Sequence, residues 1–205
     1  MGLMSATPLV TVEWRLGDEL LAASEPMRRE VDAAAARLAD YYNDPHNSRM
    51  MAHEAELSPD EVVTYYDELR AEGGHPFLLH LNGQLMGDAD LRNVDDDSGE
   101  FAIMIGARDV QGRGLGTRFA VMVHAFAFQR LGLERVYVSI VPANAASRRL
   151  FEKLGYEPDD GPDARAFADD ATDVTMSIGR AAFEAARARE LGEIRIVERG
   201  DMLRA

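Results

Sequence analysis

The order of hydrophobic and polar positions along the chain alternates between the period of a strand and the period of a helix. Residues 10–15 alternate apolar and polar side chains, which predicts a half-buried first strand. Apolar residues at three-to-four spacing follow Pro26 and predict an amphipathic helix that ends before Asn43. The stretch 43–57 is predicted as a loop.

A second helix is predicted from a capping signal. Ser58 and Glu61 have the spacing of a capping box around Pro59, so a helix begins there and is expected to end at Gly73-Gly74.

A hairpin of residues 77–81 with 85–94 should follow, because Asn82-Gly83 supplies the two positive φ angles of a tight turn. On this hairpin, alternation places every second side chain on the same face of the sheet.

The second half of the chain alternates short apolar strands with helices. Strands are predicted at 101–105, 136–141, 173–178 and 194–197, and helices at 115–131, 144–154 and 180–191. Residues 161–172 are acidic, rich in alanine and interrupted by Gly and Pro, which favours a mobile loop or a weak strand. The predicted fold class is therefore α/β, with a mixed sheet covered by helices.

Charge is distributed unevenly. The formal net charge of −14 argues against nucleic acid or a membrane as a partner, because binding phosphates needs clustered Lys and Arg. Residues 51–100 contain 13 acids and two arginines, whereas residues 101–150 contain seven arginines and two acids. This favours an anionic cofactor at the basic segment and a cationic substrate near the acidic one. The alternative is an acidic face kept for solubility.

Composition removes several classes of protein. The chain has no cysteine, which excludes disulfides, thiolate nucleophiles and zinc–thiolate sites. Its five histidines have no metal-binding spacing, so no metal is expected. Residues 1–12 lack the pattern of a signal peptide, and no stretch approaches the roughly 20 apolar residues that cross a bilayer. A cytoplasmic location is expected.

A glycine-rich stretch before the long predicted helix is the strongest signal of function. It consists of Gln111, Gly112, Arg113, Gly114, Leu115, Gly116 and Thr117. Glycines let consecutive backbone N–H groups converge on one ligand, and the helix dipole adds partial positive charge, which suits a diphosphate. The P-loop and dinucleotide-binding spacings do not fit. The arginines expected to add countercharge are Arg108, Arg113 and Arg118. A turn without a ligand is the alternative.

Two segments together resemble the acetyltransferases of the GNAT family. Gln111, Gly114 and Gly116 match its signature Q/R-x-x-G-x-G/A, and residues 144–156 are similar to its second signature, N-x-x-S-x-x-L-Y-x-K-x-G-F/Y. The resemblance covers about residues 75–178, and over 99–154 it is most like the branch with spermidine and ribosomal-protein N-acetyltransferases. It implies a mostly antiparallel sheet with a splayed pair of strands and helices on both faces.

The resemblance implies acetyl-CoA as the cofactor. The amides of the glycine-rich stretch would bind its diphosphate, and the pantetheine arm would lie in the splay between the strands at 101–105 and 136–141, pairing there with backbone groups of Ile103 and Ile105. The cofactor residues implied beyond the glycine-rich stretch are Ile103, Met104, Ile105, Asn144, Ser147 and Phe151. For Asn144, capping of its helix is the alternative.

The implied reaction is transfer of the acetyl group to a primary amine of a cationic small molecule or a peptide N-terminus. An amine attacks a thioester only when unprotonated, so the enzyme needs a route for removing its proton, and a carboxylate is the usual solution. Glu100 is the first candidate, because many members of the family carry an acid at this position. Asp88 and Asp90, which face the same side of the neighbouring strand, are the second. The alternative for each is a solvated carboxylate.

The chain departs from the family pattern at Phe151, where the second signature has a tyrosine that protonates the leaving thiolate. Phenylalanine cannot donate a proton, so the thiolate leaves without this help or another acid acts. Tyr156 and Tyr137 are candidates, with core packing as their alternative role. This departure keeps open a second class of function, an acyl-CoA-binding regulatory module with weak turnover.

Two further predictions concern the acceptor and the C-terminal segment. Met50-Met51 and Tyr65-Tyr66 are candidates to line an acceptor pocket, with packing of helix faces as the alternative. Residues 1–178 are predicted to form the N-acetyltransferase domain and residues 179–205 a helix–strand extension. The extension is a candidate for completing a homodimer.

Overall fold

The computed structural model describes residues 8–51 and 55–199. Its strands are β1 Val10–Leu16, β2 Glu19–Ser24, β3 His75–Leu81, β4 Gln84–Arg92, β5 Ser98–Ile105, β6 Arg135–Ile140, β7 Glu157–Pro158, β8 Val174–Gly179 and β9 Ile194–Glu198. Its α-helices are α1 Arg28–Asn43, α2 Pro45–Met50, α3 Pro59–Ala71, α4 Leu115–Ala125, α5 Ala145–Leu154, α6 Pro162–Ala166 and α7 Arg180–Glu193. A π-helical turn, Phe126–Leu131, continues α4.

The nine strands form one sheet in the order β7-β8-β6-β5-β4-β3-β2-β1-β9. Every adjacent pair is antiparallel except β5 with β6, which are parallel and are connected through α4. The α/β class with a mostly antiparallel sheet is thus confirmed. Within the described residues no helix is both long enough and apolar enough to span a membrane.

Local signals explain several of these elements. Ser58 Oγ accepts the N–H of Glu61, and the Glu61 carboxylate accepts the N–H of Ser58, so the predicted capping box opens α3. Asn82 and Gly83 adopt φ angles of 50° and 79°, which closes the predicted β3–β4 hairpin.

Four short elements differ from the sequence-based prediction. The strands β2 and β7 were not predicted, α2 lies inside the stretch predicted as a loop, and α6 lies where a loop or weak strand was expected. The two helices have six and five residues, which is too short to show a helical period. α2 instead begins through capping, since Asp44 Oδ1 accepts the N–H groups of His46 and Asn47.

Helices cover both faces of the sheet. α1 and α3 pack on one face, where Leu78 joins their apolar cluster, and α4, α5 and α7 pack on the other, where Phe77 and Leu79 join the larger core. Alternate side chains of β3 thus point to opposite layers.

Residues 180–198, the described part of the C-terminal segment, belong to this architecture. β9 pairs with β1 of the same chain, and Phe183 of α7 is fully buried in the larger core. Its role in a homodimer stays a prediction.

The parallel pair separates along its length. β5 and β6 pair only from Ser98 with Arg135 to Glu100 with Tyr137, and residues 101–105 have no partner on β6. The strands therefore leave a wedge between them, as the resemblance implied.

Candidate active site

The glycine-rich stretch presents free backbone amides at the start of α4. Gly112 and Gly114 have φ angles of 75° and 81°, a left-handed conformation that glycine adopts without strain. Gly114 is the N-cap residue of α4. In the described part of the chain, no acceptor bonds the N–H groups of the following residues: Gly112, Gly114, Leu115, Gly116 and Thr117. These donors, at the positive end of a helix dipole, suit a diphosphate.

A groove of about 430 Å³ runs from these amides into the wedge. The predicted cofactor residues that line it are Ile103, Met104, Ile105, Gln111, Gly112, Gly114, Leu115, Gly116, Thr117, Asn144 and Ser147. A methyl group added to Gly116 would approach Leu150 Cδ1 to 2.9 Å, so this glycine also allows α4 to pack closely on α5. The groove has the free-amide end that a diphosphate-bearing ligand needs.

The wedge side of β5 offers backbone groups that are not paired with β6. Gly106 donates its N–H to Met86 on β4, and successive residues of a strand direct their polar groups to opposite edges. Ile103 and Ile105 therefore direct theirs into the wedge. Gln111 Nε2 donates to the Ile105 carbonyl at 2.7 Å.

Several residues that were predicted to contact the cofactor lie outside the groove or form other bonds. Arg113 does not line the groove, and Phe151 lines the neighbouring cavity instead. Arg108 and Arg118, expected to add countercharge, form ion pairs with Asp44 and Glu19 at 3.0 and 2.7 Å. Asn144 Oδ1 accepts the N–H of Ser147, so Asn144 caps α5 as well as lining the groove.

Two basic residues that were not among the predicted cofactor contacts also line the groove. Arg149 and Lys153 line the groove from α5, one turn apart, and neither is in an ion pair among the described residues. Arg148, between them and Asn144 in sequence, pairs with Glu152 and does not line the groove. The signal was available, because positions 149 and 153 share one face of the predicted helix.

A second cavity, of about 380 Å³, joins the groove at the wedge. The residues that line both are Met50, Met51, Ile103, Met104, Asn144 and Ser147. We call the second space the acceptor-side cavity. Tyr65 also lines it, whereas Tyr66 lies behind the wall, fully buried.

Asp88 and Asp90 lie on the wall of the acceptor-side cavity with only 4% and 8% of their surface exposed. Tyr42 and Tyr66 donate to Oδ2 of Asp88 at 2.9 and 3.0 Å, and Tyr65 donates to Oδ2 of Asp90 at 3.0 Å. The Oδ1 atom of each carboxyl is buried and has no hydrogen-bond partner within the described residues.

Burial changes the acidity of this pair. Desolvation raises the pKa of Asp88 to about 7, and the tyrosine hydrogen bonds offset part of that effect. Desolvation also raises the pKa of Asp90, to about 6, with nearby Arg92 acting in the opposite direction. Two carboxyls that titrate near neutral pH and keep one free oxygen each are suited to bind a cation and exchange a proton with it.

Glu100 is placed off both cavities. It is 2% exposed, and its oxygens accept from Arg92 at 2.6 Å and from Asn93 at 3.0 Å. Arg92 itself lines the acceptor-side cavity and also reaches Asp169 at 3.3 Å.

The two tyrosines considered as acids are engaged elsewhere. The hydroxyl of Tyr156 donates to Nε2 of His124, whose other ring nitrogen bonds the Ala120 carbonyl. Burial lowers the pKa of His124 to about 4, so its ring is neutral. Tyr137 stacks on Phe167, with ring centres 4.8 Å apart. Neither lines the groove or the acceptor-side cavity.

Comparison with known proteins gives the family. The model of the acetyltransferase (GNAT) domain matches residues 25–157. The N-acetyltransferase 9-like protein of Caenorhabditis briggsae is 30% identical over 106 residues, which are 48% of this chain and 50% of that relative. The match thus spans about half of each protein.

Solved structures share the fold. Aminoglycoside acetyltransferase AAC(6')-Ib in complex with coenzyme A superposes with a TM-score of 0.65 at 20% identity, covering 87% of this chain and 99% of that one. Mycobacterium smegmatis RimJ in complex with CoA-disulfide has a TM-score of 0.63 at 20% identity, covering 92% and 97%. With its free loop amides, splayed strands and matching domain model, the chain belongs to the GNAT family of acetyl-CoA-dependent acetyltransferases.

Proposed function

We propose that this chain transfers the acetyl group of acetyl-CoA to a primary amine of a cationic acceptor, a small molecule or a peptide N-terminus. The observation that carries the proposal is the pair of buried, unpartnered carboxylate oxygens of Asp88 and Asp90 on a cavity that opens into the wedge. An isolated buried carboxylate is costly, so such atoms are expected to meet a positively charged ligand. A primary ammonium brings three N–H donors.

In this proposal the groove binds acetyl-CoA and the acceptor-side cavity binds the amine. The free amides of Gly112, Gly114, Leu115, Gly116 and Thr117, with Arg149 and Lys153, would hold the phosphates of the cofactor. The wedge edge of β5 would hold its extended arm. Acetyl-CoA, when bound, supplies a thioester whose carbonyl carbon reacts with an unprotonated amine to give an amide and a thiol. The thioester end would reach the junction of groove and cavity, beside Ile103.

The Asp88–Asp90 pair prepares the amine. The ammonium binds beside the two carboxyls on the cavity wall, and a carboxylate takes one proton, leaving the nitrogen lone pair available. Because the raised pKa values lie near neutral pH, the pair accepts this proton more readily than ordinary aspartates do. The second proton lost by the nitrogen leaves with the thiol. No side chain is assigned to this second transfer, since Phe151 has no proton to give.

Glu100 takes a different role in this proposal from the one expected for it. With its oxygens held by Arg92 and Asn93, Glu100 fixes the guanidinium of Arg92 beside the cavity. Arg92 in turn keeps the pKa of Asp90 from rising further. Glu100 is therefore a positioning residue, and Asp88 and Asp90 are the catalytic residues.

The acceptor is tested with a panel that represents the candidate classes. Spermidine, kanamycin and a peptide with a free N-terminus are each incubated with acetyl-CoA, and released thiol and acetylated amine are quantified together. We expect stoichiometric amide and thiol with at least one of them. Asp90→Asn should abolish most of that turnover while leaving CoA affinity, measured by calorimetry, within about two-fold.

The second candidate is an acyl-CoA-binding regulatory module, which Phe151 favours. That alternative would be supported by tight CoA binding together with slow thiol release that no panel amine accelerates. Failure of wild-type protein to bind acetyl-CoA at all would exclude both candidates.

A further inference from the structure

Helix α2 bridges the mouth of the wedge and is attached to both cofactor signatures. Its N-cap residue Asp44 pairs with Arg108 at 3.0 Å, just before the glycine-rich stretch. At its other end, the Met50 carbonyl accepts from Asn144 Nδ2 at 2.8 Å, at the start of α5. Met50 and Met51 lie at this end and line both the groove and the acceptor-side cavity.

Asn47 is the centre of the attachment. It is 4% exposed, and every polar atom of its side chain is bonded: Nδ2 donates to the Tyr41 carbonyl at 2.9 Å and to the Gly106 carbonyl at 3.2 Å. Its Oδ1 accepts from Gln111 Nε2 at 2.9 Å. The side-chain amide of Asn47 thus joins the end of α1, the end of β5 and the glycine-rich stretch.

Gln111 completes the link from the cofactor side. Its Nε2 atom bonds both Asn47 and the Ile105 carbonyl, so one amide group connects α2 with the strand edge in the wedge. Asn47 and Gln111 line the groove, but neither lines the acceptor-side cavity. An effect of either residue on the acceptor must therefore pass through another element.

We propose that Asn47 and Gln111 are positioning residues that couple the cofactor loop to the Met50–Met51 wall of the acceptor-side cavity, so that ordering of one sets the other. The proposal rests on the function proposed above. Its physical basis is that a fully satisfied buried amide network is rigid, whereas loss of one member leaves buried carbonyls without donors. Reciprocity of coupling then requires cofactor and acceptor each to favour binding of the other.

The test compares Gln111→Ala with a matched control, Asn43→Ala. The side chain of Asn43 forms two hydrogen bonds of 2.8 Å with the backbone of Leu57, which lines the acceptor-side cavity. Asn43 touches neither the groove nor the glycine-rich stretch. Both variants remove hydrogen bonds that hold residues near the acceptor-side cavity. Only Gln111→Ala breaks the bond between α2 and the glycine-rich stretch.

Two measurements separate the variants. The acceptor is whichever of spermidine, kanamycin and the peptide the wild type acetylates. With it, Gln111→Ala should raise both the CoA Kd and the acceptor KM by about 3- to 10-fold, the loss expected for an ordinary hydrogen bond. Asn43→Ala should raise the acceptor KM alone. In hydrogen exchange with CoA as the probe, wild type should gain protection at residues 46–51, and Gln111→Ala should lose that gain while keeping protection at 112–117.

The outcomes distinguish this proposal from the proposed function. If Gln111→Ala weakens CoA binding but leaves the acceptor KM and the protection of 46–51 as in wild type, the coupling does not exist, although the protein still acetylates. If no panel amine is turned over, the exchange experiment still tests the coupling. Asn47→Asp, which keeps the acceptor atom for Gln111 and loses both donated bonds, should reproduce the loss of protection; wild-type protection in this variant would also overturn the proposal.

Discussion

The hydroxyl of Tyr42 donates a 2.9 Å hydrogen bond to Oδ2 of Asp88, from the last turn of α1 to the middle of β4. This bond stabilises the ionised carboxyl and so lowers the pKa of Asp88 against the larger opposite effect of burial. Tyr42→Phe should therefore raise that pKa, by about half to one unit. Acetylation should fall more at pH 6.5 than at pH 8.5. Tyr137→Phe is the control, because Tyr137 lines neither cavity, and an equal loss at both pH values in Tyr42→Phe would contradict the assignment.

The Asp88–Asp90 pair should make kcat/KM fall on the acidic side of the pH profile. With pKa values of about 7 and about 6, the pair loses its proton-accepting form as the pH falls through this range, so kcat/KM should drop below about pH 6 to 7. Asp90→Asn should reduce kcat/KM by about 10²- to 10⁴-fold. A pH profile of the variant with the same limb and midpoint as wild type would show that other groups titrate.

The same carboxyls should cost stability at high pH. The folded-state pKa of Asp88 is about 7 against 3.8 ordinarily, so between these values the folded state binds a proton that the unfolded state lacks. Unfolding free energy therefore declines as the pH rises from 4 to 7, by up to about 4 kcal/mol. Asp88→Asn should remove the part of this decline that Asp88 causes, while the smaller part caused by Asp90 remains. The variant should be more stable than wild type at pH 8, with a difference that shrinks towards pH 4. Denaturant unfolding at both pH values checks it, with the exposed Asp60→Asn as control.

Arg149 and Lys153 should act through charge on the cofactor. Each replacement by alanine should weaken CoA binding by about 3- to 10-fold at low salt and less at 0.5 M salt, because exposed ion pairs are screened. Arg148→Ala should have little effect, since Arg148 is paired with Glu152 away from the groove. Calorimetry at two salt concentrations measures this. Equal effects of all three variants would point to helix stability in place of phosphate contact.

Tyr156→Phe should separate packing from catalysis. Its hydroxyl bonds buried His124, so the variant leaves Nε2 of His124 without a donor and should lose about 1–3 kcal/mol of stability. Because Tyr156 lines neither cavity, kcat at a permissive temperature should stay within about two-fold of wild type. A large drop in kcat without loss of stability would instead identify Tyr156 as the acid for the leaving thiolate.

The sequence by itself was enough for features that depend on neighbours in the chain. The capping box at Ser58, the turn at Asn82-Gly83 and the glycine-rich start of α4 follow from backbone preferences of a few residues. The shared face of Asp88 and Asp90 follows from the two-residue period of a strand. The two signatures indicated the family and, with it, the wedge between β5 and β6.

Only the tertiary structure decided which acids line the cavity, which donors they bond and how far their pKa values shift. Tyr42, Tyr65 and Tyr66 come from two helices to surround Asp88 and Asp90, while Arg92 and Asn93 occupy Glu100. The pKa of a carboxyl depends on how completely distant segments remove water and on which donors they bring, and neither quantity is encoded in local spacing. For the same reason α2, held by Asn47 and Asn144 across the wedge, became visible only once the chain was folded.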